Sequence, residues 1–490
     1  MKAIFQVFFL TLVSMVLFSS CSDDDIENGR TRPSGQQTDN QYVNNWVYEK
    51  MDSFYLWRDK LPAKENINFD SSPYDFLDGL IYPFNEQTHE GDRFSWIQES
   101  YVDLVNSLNG VSSSDLGFDY NVYLKAEGST EVIYEVLYIK KNTKAEKSGL
   151  KRGDIIEKVD NTTVTLDNWS SLLYQNKNSY TFSLVNQSNP ITVEVTSNYI
   201  ENPIYYSNIY TKGSHKIGYL IYNFFSQDKG DGTKSYDTAL ADEFSNFYSA
   251  GITDLILDLR YNPGGYVESS KYIASAIVPN RDISKLYVYY KYNDLIQQAY
   301  QENYGEEVFN NYFADKIAIS NRTTYPIPKL GDKLNNTLYV LVTRNTMSAS
   351  ELIINGLRPY MNVVLIGQTT IGKNVGSFSF YEPNDSRNKW GLQPICFQTY
   401  NSLGKSEYAA GFKPDDGFEV YENMAPLGDT DEMFLATAIA KITGSPLPSA
   451  KKNSPDLKPI GSSLNKKGTK GILINPAQFN KLKTTSLKNN

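Results

Sequence analysis

The apolar positions change period twice along the chain. Residues 44–57, NNWVYEKMDSFYLW, set Trp46, Met51, Tyr55 and Trp57 near one face of a 3.6-residue repeat, which predicts a helix. A second helical run, SPYDFLDGLIY (72–82), opens with Ser-Pro, a good helix start. From about residue 108 to 195, short alternating runs broken by turns predict a β-rich segment. From Lys216 onward, apolar strands alternate with amphipathic helices. KIGYLIYNFF (216–225) is followed by YDTALADEFSNFYSAG (236–251), a helix closed by Gly251, and then by TDLILDLR (253–260). TLYVLVT (337–343), a helix beginning near Ser348, and NVVLIG (362–367) repeat the pattern. Such alternation implies parallel strands joined by right-handed crossovers. Between these runs, residues 285–333 are rich in Tyr and Asn; KLYVYYKYN (285–293) reads as a strand, and LQPICFQTY (392–400) as a buried strand holding Cys396.

Composition narrows the class. A chain of 490 residues has room for several domains, and 40% hydrophobic with 21% charged residues fits a globular protein. A net charge of −9 argues against nucleic acid as the main partner. The only histidines are His89 and His215, and the only cysteines Cys21 and Cys396, so neither a His/Cys metal centre nor a disulfide framework is expected. No cofactor is implied.

The first residues, MKAIFQVFFLTLVSMVLFSSC, combine an early Lys, an apolar stretch and small residues before Cys21, the layout of a bacterial secretory signal. Phe-Ser-Ser-Cys resembles a lipobox, which implies lipidation of Cys21 and anchoring to a membrane. The following SDDD resembles the export signal of Bacteroidetes-type surface lipoproteins, implying the outer membrane and exposure at the cell surface. The polar run after it reads as a tether. After Gly444 the tail carries nine Lys against one Asp and reads as mostly irregular, docked at most on the surface.

Within the β-rich segment, DLGFDYNVYL (115–124) and GLKRGDIIEKVD (149–160) together resemble a PDZ domain of the bacterial protease type. Such domains add a peptide tail as an extra strand. The resemblance implies a carboxylate-binding loop at Gly117, Phe118, Asp119 and Tyr120, with backbone amides as donors.

Three turns of the α/β segment carry the chemistry: DLRYNPGG (258–265), SASE (348–351) and TTIGKNVGS (369–377). Turns that follow parallel strands gather at one edge of the sheet, where sites form. A serine hydroxyl needs a base, and with no histidine nearby a neutral lysine can serve. That requires its pKa to fall by about three units, as burial in an apolar turn can achieve. The helix starting at Ser348 would aim the Ala349 N–H at a carbonyl oxygen, and a glycine amide of the Asn-Pro-Gly-Gly turn would complete an oxyanion hole.

LILDLRYNPGG, TMSASELIINGL and GQTTIGKNVGS, in that order and beside a PDZ-like segment, resemble the C-terminal processing (tail-specific) serine peptidases. The resemblance implies a Ser–Lys dyad of Ser348 and Lys373, 25 residues apart, an oxyanion hole from Ala349 with Gly264 or Gly265, and polypeptide substrates captured by their free C-terminal tails. AAGFKPDD (409–416) resembles the closing segment of the same family. The chain departs from the pattern at Ser377, where many members have a Gln that orients the lysine, and at Asn374, where Gly is usual. Ser377 is the candidate orienter. These departures keep open a second function, a catalytically inactive peptide-binding lipoprotein on the same scaffold.

The expected fold is a multidomain α+β chain, with a small N-terminal helical unit, a PDZ-like β domain and an α/β catalytic domain of crotonase/ClpP-like type. The expected boundaries are a signal peptide at 1–20, a tether at 21–40, the helical unit at 41–107, the PDZ-like domain at 108–200, the peptidase domain at 201–445 and a basic tail at 446–490.

Overall fold

Helix α1 (Asp39–Phe54) buries Val43, Trp46, Val47 and Met51, the stripe set by the apolar period. Helix α2 (Pro73–Leu80) starts where Ser72 accepts the Asp75 N–H and Pro73 occupies the first turn. Both helices pack on the main core, α1 through Val43, Trp46, Val47 and Met51 and α2 through Phe76, Leu77 and Leu80. The computed structural model describes residues 38–448 except 174 and 186, residues 459–464, and the backbone of 472–473. The signal peptide, Cys21, nearly all of the tether and most of the basic tail lie outside the described residues. Among the described residues, no helix is long and apolar enough to cross a membrane.

Helix α3 (Tyr101–Leu108), capped by Ser100, leads into a β domain. Its main strands are β1 (Phe118–Leu124), β2 (Val132–Ile139), β3 (Ile155–Val159), β4 (Ser179–Leu184) and β5 (Ile191–Glu194), which pair in that order as an antiparallel sheet. Alternate residues, among them Tyr120, Val122, Tyr134, Val136, Ile156 and Phe182, form its own core.

The chain then runs through β6 (Ile204–Lys212), β7 (His215–Tyr222), α4 (Ser235–Ala250), β8 (Asp254–Asp258), α5 (Val267–Ile277), β9 (Leu286–Tyr292), α6 (Asp294–Tyr304) and β10 (Asn310–Tyr312). It continues with β11 (Thr337–Val342), α7 (Ala349–Leu357), β12 (Asn362–Gly367), β13 (Val375–Ser377), β14 (Ile395–Tyr400) and α8 (Met433–Thr443). Strands β6-β7-β8-β11-β12 form one sheet, parallel from β7 to β12. One face of it, including Leu220, Tyr222, Leu255, Leu257 and Val340, shares a core with α4, α5 and α7. The other, including Tyr219, Ile221, Ile256 and Leu341, is covered by Phe434, Leu435 and Ala438 of α8. Coverage on both faces is why these strands read as continuous apolar runs.

The stretch 285–333 is no appendage. Its β9 and β10 join β14 and β13 in a second sheet, ordered β10-β9-β14-β13, where Tyr290 and Tyr292 pack against Phe397. The last described elements are two short strands. β15 (Gly461–Ser462) pairs with β1, and β16 (Ile472–Leu473) with β13, so these parts of the expected irregular tail are ordered against the domains.

A buried charge cluster joins the β domain to the α/β sheet. Arg260, just beyond β8, donates to both oxygens of Glu432, the cap of α8, at 2.8 Å each, and to Asp258. Arg152 of the β domain donates to Tyr261 Oη at 2.6 Å and to Glu422 at 2.7 Å. Burial alone would raise the Glu422 carboxyl, but the Arg152 and Arg260 guanidiniums hold it down at about 2. Replacing Glu432 by Ala removes the bidentate partner of a guanidinium whose side chain has no solvent exposure. The expected loss is about 3–5 kcal/mol in chemical denaturation, because a buried pair is broken from one side and the guanidinium keeps only Asp258 and Glu422; a loss below about 1 kcal/mol would contradict the assignment.

Candidate active site

The loops after β8, β11 and β12 lie at the same edge of the parallel sheet and are stitched together by buried polar atoms. Thr346 donates to the Leu259 carbonyl at 2.8 Å, and its own carbonyl accepts the Ile371 N–H at 3.1 Å. The Asn262 carbonyl accepts from Met347 N–H at 3.2 Å and Ser350 Oγ at 3.0 Å.

Ser348 sits where β11 has ended and α7 begins, with φ +61° and ψ −118°, a region rarely adopted by residues other than glycine. Such strain costs about 1–3 kcal/mol and persists only where the surroundings fix it. Here the clamp is Glu351, three residues on and fully buried. Its Oε2 accepts the N–H groups of Ser348 (2.9 Å) and Lys373 (2.7 Å); its Oε1 accepts the Gly372 N–H (2.6 Å) and the Thr370 hydroxyl. One carboxylate thus holds the serine turn to the lysine loop. Burial raises its carboxyl above the ordinary value, and the donors oppose that rise.

Gly264 lies against this turn. A Cβ there would meet Ser348 Cβ at 2.7 Å and Ala349 N at 2.9 Å, so the close approach requires glycine. Its N–H donates to Asn262 Oδ1 at 2.8 Å, which corrects the expectation that either glycine amide could serve an oxyanion. The N–H groups of Gly265 and Ala349 donate no hydrogen bond within the described residues.

Lys373 has no solvent exposure. Its Nζ lies under the Phe94 ring, 4.6 Å from the centroid, and neither Nζ nor Ser348 Oγ has a hydrogen-bond partner among the described residues. Burial drives the ammonium pKa from 10.5 down to about 7; Asp92 and Glu351 pull it up, and Arg93 adds to the lowering. Ser377 does not orient the lysine as expected. Its hydroxyl points to Gln393 Oε1 at 3.3 Å, because β13 pairs with β14 at this residue and turns the side chain away.

The sequence reading assigned no chemistry to the N-terminal unit, yet its Asp92-Arg93-Phe94 turn walls the lysine pocket. Arg93 donates to the carbonyls of Ile371 (2.8 Å) and Ala409 (3.0 Å), fixing the loop from outside. Nothing local in EGDRFSW marks that contact. A cavity of about 570 Å3 opens beside it, lined by Trp57, Phe84 and Phe94 on one side and Gly372 and Asn374 on the other.

The β-domain loop is a separate place. Phe118 and Asp119 pair with Ile139 and Tyr138 of β2, and all of Phe118, Asp119 and Tyr120 are buried. The Gly117 N–H donates to Asp115 Oδ1 (2.8 Å) and the Tyr120 N–H to Ser463 Oγ (2.9 Å), a departure from the expected row of open donors. Lys140 beside the loop bonds Asp115 at 2.6 Å. Among the described residues, no cluster of His, Cys, Asp and Glu is placed to hold a metal ion.

Residues 216–416 match the family model of peptidase family S41, and residues 42–96 that of the peptidase S41 N-terminal domain. The chain belongs to peptidase family S41. The first match spans all three turns, and the second includes the Asp92-Arg93-Phe94 wall. A carboxyl-terminal-processing protease of Picosynechococcus sp. is 26% identical over 295 residues, covering 58% of this chain and 60% of that protein. The chloroplastic C-terminal processing peptidase of Tetradesmus obliquus is 26% identical over 249 residues, covering 47% of this chain and 46% of that one. The chain therefore spans about half to three fifths of these relatives. A crystal structure described as an S41 protease, from Bacteroides fragilis, superposes with TM-score 0.63 at 25% identity, over 85% of this chain and 99% of that one.

The clamp makes a specific prediction for this S41 chain. In Glu351→Gln, whichever oxygen becomes an amide nitrogen faces two donors instead of accepting them. Stability should fall by about 2–4 kcal/mol in urea denaturation, with faster amide exchange at Gly372 and Lys373. Unchanged exchange at both amides would contradict the clamp.

Proposed function

We propose that the chain is a serine endopeptidase that uses Ser348 as nucleophile and Lys373 as general base on polypeptides caught by their C-terminal tails. The observation that carries this reading is the fully buried Lys373, brought to about 7 in a loop that Glu351 ties to the Ser348 turn. A neutral amine takes the Ser348 proton as Oγ attacks the scissile carbonyl. The N–H groups of Ala349 and Gly265 receive the developing oxyanion, while Gly264 sets their spacing by its close packing. The resulting ammonium gives its proton to the leaving amine, and water reverses the sequence to release the acyl group. Binding must bring Ser348 Oγ and Lys373 Nζ into contact, since they are not bonded in this conformation.

Tail capture falls to the β domain, read as a PDZ domain, whose cavity of about 490 Å3 is lined by Leu116, Phe118, Tyr120, Lys140 and Tyr180. The lipobox at Cys21 and the acidic run after it support an outer-membrane, surface-exposed lipoprotein. The alternative, a peptide-binding scaffold without catalysis, draws on the unbonded dyad and on Ser377 facing Gln393.

Incubation with an unfolded protein should give fragments, and Ser348→Ala and Lys373→Ala should each reduce cleavage by more than about a thousandfold. Cleavage by both variants at the parent's rate would contradict the dyad, and no fragments from the parent would leave the non-catalytic reading. The pH profile has a defined sign. A base whose pKa is lowered to about 7 is neutral above that pH and protonated below it. Activity should therefore fall about tenfold per pH unit below 7. A flat profile down to pH 5 would exclude Lys373 as the base.

A further inference from the structure

The edge of β1 that would receive a substrate tail is occupied by the chain itself. β15 lies antiparallel to β1, with Gly461 opposite Val122 and Ser462 opposite Asn121. The Ile460 N–H donates to the Val122 carbonyl at 2.8 Å, and Ser462 Oγ to the Tyr120 carbonyl at 3.1 Å. Ser463 Oγ accepts the Tyr120 N–H at 2.9 Å and donates to Asp119 Oδ1 at 2.8 Å. From 461 to 464 the segment runs toward the Gly117 loop, the polarity a captured C-terminal tail would have.

The seat is specific rather than a passing contact. Gly461 lies on the Trp169 ring, where a Cβ would come within 2.6 Å, and Leu464, 2% exposed, joins Leu137, Tyr138 and Tyr261 in one apolar cluster. Tyr261 directly precedes the Asn-Pro-Gly-Gly turn, so this cluster bridges the β domain and the sheet edge that carries the serine. Ser463 lines the same cavity as Phe118, Tyr120 and Lys140. Farther along, the backbone of β16 pairs with Gly376 and Ser377 of β13, the strand that follows Lys373.

We propose that residues 459–464 are an intramolecular ligand of the β1 edge, a built-in competitor that substrate tails must displace. The proposal rests on the tail-capture reading for its consequence, though not for the docking itself. A strand edge offers one set of backbone donors and acceptors, so it holds one strand at a time. A ligand on the same chain acts at a high effective concentration, which weakens every free peptide by the same factor.

The test uses the full chain and two variants. Gly461→Glu drives a side chain into Trp169 and undocks the segment; Ser462→Ala with Ser463→Ala keeps the chain shape and removes the hydroxyl contacts to Tyr120. Hydrogen exchange at the Tyr120 amide reads occupancy, and fluorescence anisotropy reads binding of a labelled apolar peptide with a free carboxylate, beside its amidated twin. Both variants should exchange Tyr120 and bind the free-carboxylate peptide at least about tenfold better than the parent. Unchanged exchange in both variants overturns the docking. Faster exchange with unchanged peptide affinity overturns the competition. Equal binding of the acid and amide peptides by the variants would instead sink carboxylate capture, while the exchange result still decides whether the segment is docked.

Discussion

The arrangement depends on one unfavourable act, the withdrawal of the Lys373 ammonium from water. Shifting an amine from 10.5 to about 7 corresponds to a differential penalty on the order of 5 kcal/mol against the charged form. No single element imposes it. The Phe94 ring comes from the N-terminal unit, the lysine from the loop after β12, and Glu351, on the helix that starts at the serine, holds that loop by its amides while its charge opposes the shift. Arg93 closes the outside by holding the Ile371 and Ala409 carbonyls. The pocket therefore exists only when these parts of the chain are folded together.

The same carboxylate that borders the lysine also stabilises the strained serine. Glu351 divides four donors between its two oxygens, one from the serine turn and three from the lysine loop. That sharing couples the conformation of the proposed nucleophile to that of the proposed base. Gly264 adds a steric term from the third turn, and Asn262 anchors that turn to β7 through the Tyr222 carbonyl at 2.7 Å. A serine at positive φ with an unbonded hydroxyl, tied through Glu351 to the loop of an unbonded amine, is thus a product of converging constraints rather than of any one motif.

Much of this was legible in the sequence because it is local. The apolar runs at 216–225, 253–260 and 337–343 became β7, β8 and β11, and Gly251 closes α4 in the left-handed conformation. The turns carrying Gly264, Ser348 and Lys373 lie at one sheet edge because parallel strands bring their ends there. What could not be read is what depends on distant partners. The Phe94 contact joins residues far apart in the chain, and no spacing encodes it. The clamp role of Glu351 could not be read because a cap residue and a clamp share one local pattern; only the lysine-loop amides distinguish them. Ser377 failed as an orienter because the pairing of β13 with β14, not its distance from Lys373, sets where its hydroxyl points. The lysine-rich tail gave no periodic signal, and the strand at Gly461–Ser462 is set by the edge of β1 that it meets.

The central claim concerns the charge of one nitrogen, and it can be observed directly. An NMR titration of the Lys373 side chain, in protein labelled at lysine Cε and assigned with Lys373→Arg, follows that nitrogen without reference to catalysis. The account predicts a midpoint near 7 in the folded protein, moving to the ordinary lysine value on denaturation. A midpoint near 10.5 in the folded state would contradict it.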